Sequence, residues 1–160
     1  MGDSQVELIE SIHNYLVEKG LYLSVAESCT GGLLGSMLTE RAGSSHFFEG
    51  GIIAYQNKVK IQKLGVSEEI LNLHGAVSRE VAEAMALGCR SKFNTDYALS
   101  ITGIAGPGGG SEEKPVGTVW IALSSKDKLT SQKILKIGDR QAIRLEACFI
   151  ATQMLRKACF

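Results

Sequence analysis

Two reactive side chains stand together shortly after the first apolar run of the sequence. Residues 21–26 are apolar enough for a buried strand, and they lead into ESCTGG at 27–32 and then into leucines at helical spacing. The first amides of such a helix have no partner within it, so they can stabilise an oxyanion or bind a phosphate. Ser28 is therefore a candidate nucleophile. Cys29 is its rival, because a helix amino terminus lowers the pKa of a thiol, and capping of the helix by Ser28 or Thr30 is the structural alternative.

A serine nucleophile needs a base, and the sequence points to a lysine rather than a histidine. The chain has no Gly-x-Ser-x-Gly motif, and its three histidines show no triad pattern. Lys60 follows Tyr55 by five residues in a segment that begins where a second strand is predicted to end. A lysine can act as a base only where burial or a neighbouring cation keeps its amine neutral near pH 7. The alternative is that Lys60 lies on a solvated helix face with two other lysines.

A glycine-rich segment and an arginine complete the candidate chemistry. Residues 102–110 (TGIAGPGGG) contain five glycines, a composition that favours a mobile loop or one in close contact with a ligand. The segment lacks the Walker A ending and the Gly-x-Gly-x-x-Gly spacing, which disfavours phosphate transfer from a nucleoside triphosphate. Arg140 opens the last predicted helix and could clamp a phosphate or carboxylate. Equally, Arg140 and Arg144 could be surface residues one turn apart.

The elements that must position these residues alternate between strand and helix. We predict strands at 21–26, 47–55, 97–101, 116–123 and 134–137, and helices at 3–20, after Gly32, at 56–64, from Ser67, from Ser78 and at 139–157. The expected cap of the first helix is Asp3 or Ser4. This order predicts one α/β domain over residues 1–160, a three-layer α/β/α sandwich with a mixed, mostly parallel sheet. Ligands of such sheets bind beyond the carboxyl ends of the strands, so the three segments above are expected to converge there.

Composition excludes several classes of protein. Seventeen lysines and arginines balance seventeen aspartates and glutamates, so there is no overall field to attract nucleic acid or an anionic membrane. No apolar run approaches the roughly 20 residues that span a bilayer, and the amino terminus lacks a signal-peptide pattern. The four cysteines have no CxxC spacing, which disfavours a zinc site and fits a reducing cytoplasm. We therefore expect a cytoplasmic protein that binds neither membrane nor nucleic acid.

Seven short segments together resemble one known family. They are AESCTGG (26–32), GSS (43–45), YQN (55–57), HGAVS (74–78), TGIAGP (102–107), EKPVGTV (113–119) and GDR (138–140). In order and spacing they resemble the carboxy-terminal domain of competence/damage-inducible protein A (CinA), over nearly the whole chain. The long amino-terminal domain of full-length CinA is missing, so we expect no pyrophosphatase activity from this chain.

The resemblance implies an activity. Stand-alone members of the family hydrolyse the carboxamide of nicotinamide mononucleotide to nicotinate mononucleotide and ammonia, in bacterial pyridine-nucleotide salvage, without a metal or an organic cofactor. The implied catalytic residues are Ser28 as nucleophile, Lys60 as general base and Tyr55 as a hydrogen-bonding partner, with Thr102 and Arg140 as further active-site positions. The implied partner is the small nucleotide substrate, and we expect a homo-oligomer.

Amide hydrolysis by these residues leads to a specific hypothesis. Neutral Lys60 takes the Ser28 proton and returns one to the leaving nitrogen, Tyr55 fixes the amine, and helix amides near Gly31 and Gly32 hold the oxyanion. Predicted substrate contacts are Arg140, Thr30, Gly31, Gly32, Asn57, Gly103 and Gly106, and either Arg140 or the glycine-rich segment would meet the phosphate. Two alternatives stay open: a thiol amidase that uses Cys29, and a non-catalytic module that binds pyridine nucleotides or another partner.

Overall fold

One five-stranded sheet organises the chain, and a computed structural model describes it over residues 4–160. The strands are β1 (Leu23–Glu27), β2 (Phe48–Ile53), β3 (Tyr97–Gly103), β4 (Thr118–Ser124) and β5 (Leu129–Leu135). The helices are α1 (Gln5–Lys19), α2 (Leu33–Leu38), α3 (Asn57–Leu64), α4 (Glu68–His74), α5 (Arg79–Phe93) and α6 (Arg140–Cys159), with a 3-10 turn at Ser44–His46.

The sheet is mixed, in the order β2-β1-β3-β4-β5. β1 pairs in parallel with both β2 and β3, whereas β4 is antiparallel to β3 and to β5. Four strands therefore run in one direction and β4 runs against them. This confirms the predicted α/β class, and it brings the carboxyl ends of β1, β2 and β3 to one edge of the sheet.

Helices cover both faces of the sheet, and the alternation of residues along the strands separates the two faces. Leu23, Val25, Leu99 and Ile101 face a core built with α1, α2 and α6. Ala26 and Ala98 face the opposite core, which is built with α3, α4 and α5. The side chains that meet α5 are small, so this helix packs close to the sheet. Three layers result, as the sequence predicted.

Local capping rules account for the helix starts. α4 and α5 begin directly after Ser67 and Ser78, close to the predicted starts, and the hydroxyls of these two serines accept hydrogen bonds from the amides of Ile70 and Val81. Ser4 caps α1 and forms a capping box with its N3 residue, while Asp3, the other expected cap, lies outside the described residues. Between residues 4 and 160, no helix has the length and apolarity needed to cross a bilayer, and the cytoplasmic location stays a prediction.

Each predicted strand differs from the observed one by at least one residue at one or both ends, and two of these differences have a clear cause. β5 begins at Leu129 rather than at residue 134, because it is an edge strand whose polar run Thr130–Lys133 gives no apolar signal. β3 extends to Gly103 rather than ending at Ile101, since Thr102 and Gly103 still pair with Trp120 and Val119. Thr102 is therefore held by the sheet and does not belong to the loop.

Candidate active site

A cleft of about 280 Å³ opens where β1, β2 and β3 end. All four predicted catalytic residues line it: Ser28, Tyr55, Lys60 and Thr102. Of the predicted substrate contacts, Arg140, Asn57, Gly103 and Gly106 line it as well. The three sequence segments thus converge as the topology required.

Lys60 is a buried lysine at the centre of this cleft. Its side chain is 1% exposed, and its Nζ donates hydrogen bonds to Ser28 Oγ at 3.0 Å, to the Ala54 carbonyl at 2.6 Å and to the Tyr55 carbonyl at 3.4 Å. Burial lowers the pKa of the Lys60 amine from its ordinary 10.5, and the nearby Cys29 opposes this to a smaller extent. The alternative of a solvated lysine face is wrong for Lys60, although Lys58 and Lys63 are exposed.

The three hydrogen-bond partners of Lys60 Nζ can be satisfied by the amine in its neutral form and in its protonated form. A neutral amine has two N–H groups and one lone pair. The two carbonyls can take the two N–H groups, which leaves the lone pair for the Ser28 hydroxyl proton. A protonated amine donates its third hydrogen to Ser28 instead. The geometry therefore permits a proton to pass from Ser28 to Lys60 without any other bond being broken.

Ser28 follows β1 directly, and its amide donates to the Ile101 carbonyl at 2.9 Å. Only 8% of the residue is exposed. Its hydroxyl is held between the end of the sheet and the Lys60 amine, so capping of α2 is not its role.

The amides that follow Ser28 differ from the expectation, because a glutamate occupies the start of α2. The Glu27 carboxylate, in a side chain that is 1% exposed, accepts hydrogen bonds from Gly32 at 3.1 Å, Leu34 at 3.1 Å and Gly35 at 2.8 Å. The Gly31 amide donates to the Ser28 carbonyl at 3.0 Å. Gly31 and Gly32 therefore cannot supply the oxyanion-binding amides, and that part of the hypothesis is wrong.

Sequence reasoning missed Glu27. It lies in the same motif as Ser28, but a glutamate at the end of a buried strand carries no signal of its own. Its position five to eight residues before three amides with no helical partner was the available clue.

Thr30 lies outside the lining of the cleft. Thr30 is fully buried, and its carbonyl accepts a 2.8 Å hydrogen bond from Nη2 of Arg144. Neither Thr30 nor Gly31 nor Gly32 lines the cleft. The structure thus gives these three predicted substrate contacts a role in shaping the turn, since both glycines have the positive φ that the turn requires.

Cys29 lines the cleft but is a poor nucleophile. Burial raises the pKa of its thiol to about 11 and outweighs the lowering effects of the hydrogen bond from its own backbone amide and of the charges of Arg144 and Lys60. The start of α2, which was expected to lower this pKa, already interacts with the Glu27 carboxylate. A thiolate is therefore scarce at neutral pH.

Tyr55 and Arg140 meet at the rim of the cleft. Nη2 of Arg140 donates to the Tyr55 hydroxyl at 2.9 Å, and Nη1 donates to the Gly106 carbonyl at 2.7 Å. Tyr55 contacts the Lys60 amine through its main-chain carbonyl, whereas its hydroxyl contacts Arg140. The residue does help to hold the amine, through its main-chain carbonyl rather than through its side chain.

Thr102 forms part of the cleft wall. Its hydroxyl donates to the Ala76 carbonyl at 2.8 Å and so ties the segment before α5 to the end of β3. At the next position, a Cβ on Gly103 would lie 2.6 Å from Cγ2 of Val119, so only glycine fits there.

Histidines and metal-binding clusters do not contribute to the cleft. None of His13, His46 and His74 lines it, and Nδ1 of His74 lies 3.7 Å from Glu80 in a different region. Over residues 4–160, no group of three or more His, Cys, Asp or Glu side chains is arranged to hold a metal ion.

Comparisons with known proteins identify one family. The family model described as CinA C-terminal domain matches residues 5–159. A "CinA-like protein" from Synechocystis sp. is 48% identical over 160 residues, covering 98% of this chain and 38% of that relative. A "CinA-like protein" from Dictyoglomus turgidum is 47% identical, covering 98% of this chain and 38% of the relative. The chain therefore spans well under half the length of these curated relatives.

Solved structures show the same fold over the whole chain. The competence/damage inducible protein CihA from Agrobacterium tumefaciens has a TM-score of 0.94 at 40% identity, covering 99% of this chain and 98% of that one. A CinA superfamily protein from Escherichia coli has a TM-score of 0.92 at 32% identity, covering 98% and 93%. The chain belongs to the CinA C-terminal domain family.

Proposed function

We propose that this protein is an amidohydrolase that converts nicotinamide mononucleotide to nicotinate mononucleotide and ammonia, with Ser28 as nucleophile and Lys60 as general base. The observation that carries the proposal is the 3.0 Å contact between Lys60 Nζ and Ser28 Oγ, in a site where the lysine is 1% exposed. A buried amine with a lowered pKa, within hydrogen-bonding distance of a serine hydroxyl in a cleft, is typical of an activated serine.

The reaction has two halves. In the first, Ser28 Oγ attacks the carboxamide carbon while its proton passes to neutral Lys60, and a tetrahedral oxyanion forms. The C–N bond then breaks as Lys60 returns the proton to the nitrogen, and ammonia leaves. In the second half, water attacks the Ser28 ester, Lys60 takes the water proton and returns it to Ser28, and nicotinate mononucleotide leaves.

The phosphate of the proposed substrate has a candidate binding partner, Arg140, at the rim of the cleft. Arg140 is exposed there, and its guanidinium already holds two oxygen acceptors of the protein, Tyr55 and Gly106. A guanidinium suits a phosphate because it donates parallel hydrogen bonds. We assign the nucleotide phosphate to Arg140, since this cation borders the cleft next to the glycine-rich segment.

A direct test is ammonia release from nicotinamide mononucleotide, nicotinamide riboside and free nicotinamide. We expect turnover of the mononucleotide, weaker turnover of the riboside, and none with Ser28→Ala. Lack of turnover of all three by the unmodified protein would favour the non-catalytic binding module. Full activity of Ser28→Ala would reject the serine mechanism.

Alkylation separates the serine mechanism from the thiol alternative. Because burial raises the pKa of the Cys29 thiol to about 11, only about one thiol in ten thousand is ionised at pH 7. We expect ammonia release to survive iodoacetamide at that pH. Inactivation in step with modification of Cys29, as followed by mass spectrometry, would instead support the thiol amidase.

A further inference from the structure

The turn that carries Ser28 is held from both sides by charged side chains that lie outside the catalytic pair. On one side, the Glu27 carboxylate accepts the amides of Gly32, Leu34 and Gly35. Hydrogen bonds of this charge-assisted kind are roughly twice as strong as neutral ones. Because Glu27 is 1% exposed, water cannot replace it, and the start of α2 is fixed relative to the end of β1.

On the other side, Arg144 of α6 holds the middle of the turn. Its Nη2 donates to the Thr30 carbonyl at 2.8 Å, although the two residues are 114 positions apart. The same carbonyl accepts the Leu33 amide at 3.0 Å. The orientation of the peptide after Thr30 is thus determined by α6 as well as by the turn itself.

Two amides of the turn donate no hydrogen bond to another residue in the described part of the chain. The amides of Ser28, Gly31 and Leu33 donate to the carbonyls of Ile101, Ser28 and Thr30, respectively. The amides of Gly32 and Leu34 donate to the Glu27 carboxylate. Among residues 4–160, the amides of Cys29 and Thr30 donate to no other residue. Both directly follow the nucleophile, but Thr30 is fully buried and does not line the cleft, whereas Cys29 lines it. In hydrolases with a serine on a strand-to-helix turn, the amide after the nucleophile is an oxyanion donor.

We propose that Glu27 and Arg144 are positioning residues for deamidation, which hold the turn so that the Cys29 amide serves as an oxyanion donor beside Ser28. The inference rests on the proposed amidohydrolase function and adds to it an oxyanion donor and the side chains that fix its position. Burial and Cys29, rather than Glu27, set the pKa of Lys60, so the role of Glu27 is geometric.

The test compares Glu27→Gln with the unmodified protein. Glutamine keeps the shape, but its NH₂ group cannot accept an amide hydrogen, so part of the start of α2 loses its partner. Since misplacement by about 1 Å can cost about 100-fold in rate, we expect kcat for nicotinamide mononucleotide to fall about 10- to 100-fold. We expect KM and the apparent pKa of the pH–rate profile to stay unchanged. Arg144→Met, which removes one hydrogen bond instead of several, should lower kcat less.

The matched control is Ser24→Ala. Ser24 is a fully buried polar residue of β1, three positions before Glu27, and it bonds Thr95 and Cys89 at the opposite end of the strand. Its loss disturbs the same strand without touching the turn. We expect Ser24→Ala to keep kcat per folded molecule, with the folded fraction measured by circular dichroism.

A second measurement does not depend on the natural substrate. An alkyl fluorophosphonate reacts with an activated serine: Oγ bonds to phosphorus, fluoride leaves, and the hydroxyl proton passes to Lys60. The oxygen on phosphorus gains charge in that step and needs the same donor. We expect mass spectrometry to find Ser28 modified, with Glu27→Gln reacting at least about tenfold more slowly than Ser24→Ala.

The outcomes separate the two proposals. Labelling that is slowed by Glu27→Gln, in a protein that does not release ammonia from the mononucleotide, would reject the proposed substrate and support the positioning role. Equal labelling rates or equal kcat values in folded Glu27→Gln and unmodified protein would overturn the positioning role. A kcat loss accompanied by a shifted pH profile would also overturn it, because Glu27 would then act on the Lys60 proton.

Discussion

The hydroxyl of Tyr55 accepts a 2.9 Å hydrogen bond from Arg140, although 85 positions separate the two residues. The carbonyl of the same tyrosine lies 3.4 Å from the Lys60 amine. One residue therefore connects the amine inside the cleft, through its backbone, to the cation at the rim, through its side chain. Substitution of the side chain should affect only the rim.

Tyr55→Phe tests this division. The change removes the hydroxyl that holds Arg140 and leaves the backbone carbonyl in place. A hydrogen bond to a charged group contributes about 1.5–3 kcal/mol, so KM for nicotinamide mononucleotide should rise about 10- to 150-fold with little change in the pH dependence of kcat. Steady-state kinetics from about pH 6 to pH 10 would measure both. A shift in the apparent pKa would show that the hydroxyl acts on Lys60.

The pH dependence of activity should reflect the buried amine. The base must be neutral, and burial lowers the pKa of Lys60 below 10.5, so kcat/KM should rise with pH and level off below the range of an ordinary lysine. Lys60→Arg should be inactive at every pH, because a guanidinium does not lose its proton in proteins. Ammonia release at constant ionic strength gives the profile. An activity that falls as pH rises through this range would contradict a lysine base.

The free energy of unfolding should also depend on pH through the Lys60 amine. With the folded-state pKa of Lys60 lowered, the unfolded chain binds more protons between that value and 10.5, so stability rises with pH across this window. The contribution is fully present above 10.5 and is lost as pH falls through the folded-state pKa. Urea unfolding should therefore show the unmodified protein gaining stability relative to Lys60→Met as pH increases. A constant difference between the two would contradict the lowered pKa.

Gly106 and Gly108 provide a matched pair in the glycine-rich segment. Gly106 has φ +78°, and a Cβ there would lie 2.5 Å from Cγ1 of Val116, whereas a Cβ on Gly108 would meet nothing within 4 Å. We expect Gly106→Ala to lower the free energy of unfolding by about 1–3 kcal/mol and Gly108→Ala to lower it far less. Urea unfolding of both variants tests this. Equal losses would mean that the segment is not held in the conformation described.

Local patterns in the sequence were enough to predict which elements form and where α4 and α5 begin. The caps at Ser67 and Ser78 depend on a hydroxyl and an amide three residues apart, so neighbouring residues alone decide them. The apolar β1 was equally clear, because a strand buried on both faces is a continuous apolar run. The start of the edge strand β5 was predicted at residue 134 instead of Leu129. An edge strand pairs on one side only, and its exposed polar residues give no apolar signal.

The order of strands also allowed the convergence of the site to be predicted. Parallel strands place their carboxyl ends at one edge, so segments near residues 28, 55 and 102 had to meet. The family resemblance then named Ser28 and Lys60 as partners. Neither the order of strands nor the family resemblance indicated which acceptors the amides of the turn after Ser28 would bind.

The sequence by itself determined which side chains could act, namely a hydroxyl after a buried strand and a lysine after the next one. Only the tertiary structure decided that Lys60 is buried with its amine in contact with the Ser28 hydroxyl, while Lys58, two positions away, faces solvent. It also decided that Glu27, and not a substrate, occupies the start of α2. The physical reason is that burial, and with it the pKa of an amine or the availability of an amide, depends on which distant segments pack around a group, and the spacing of nearby residues does not encode that packing.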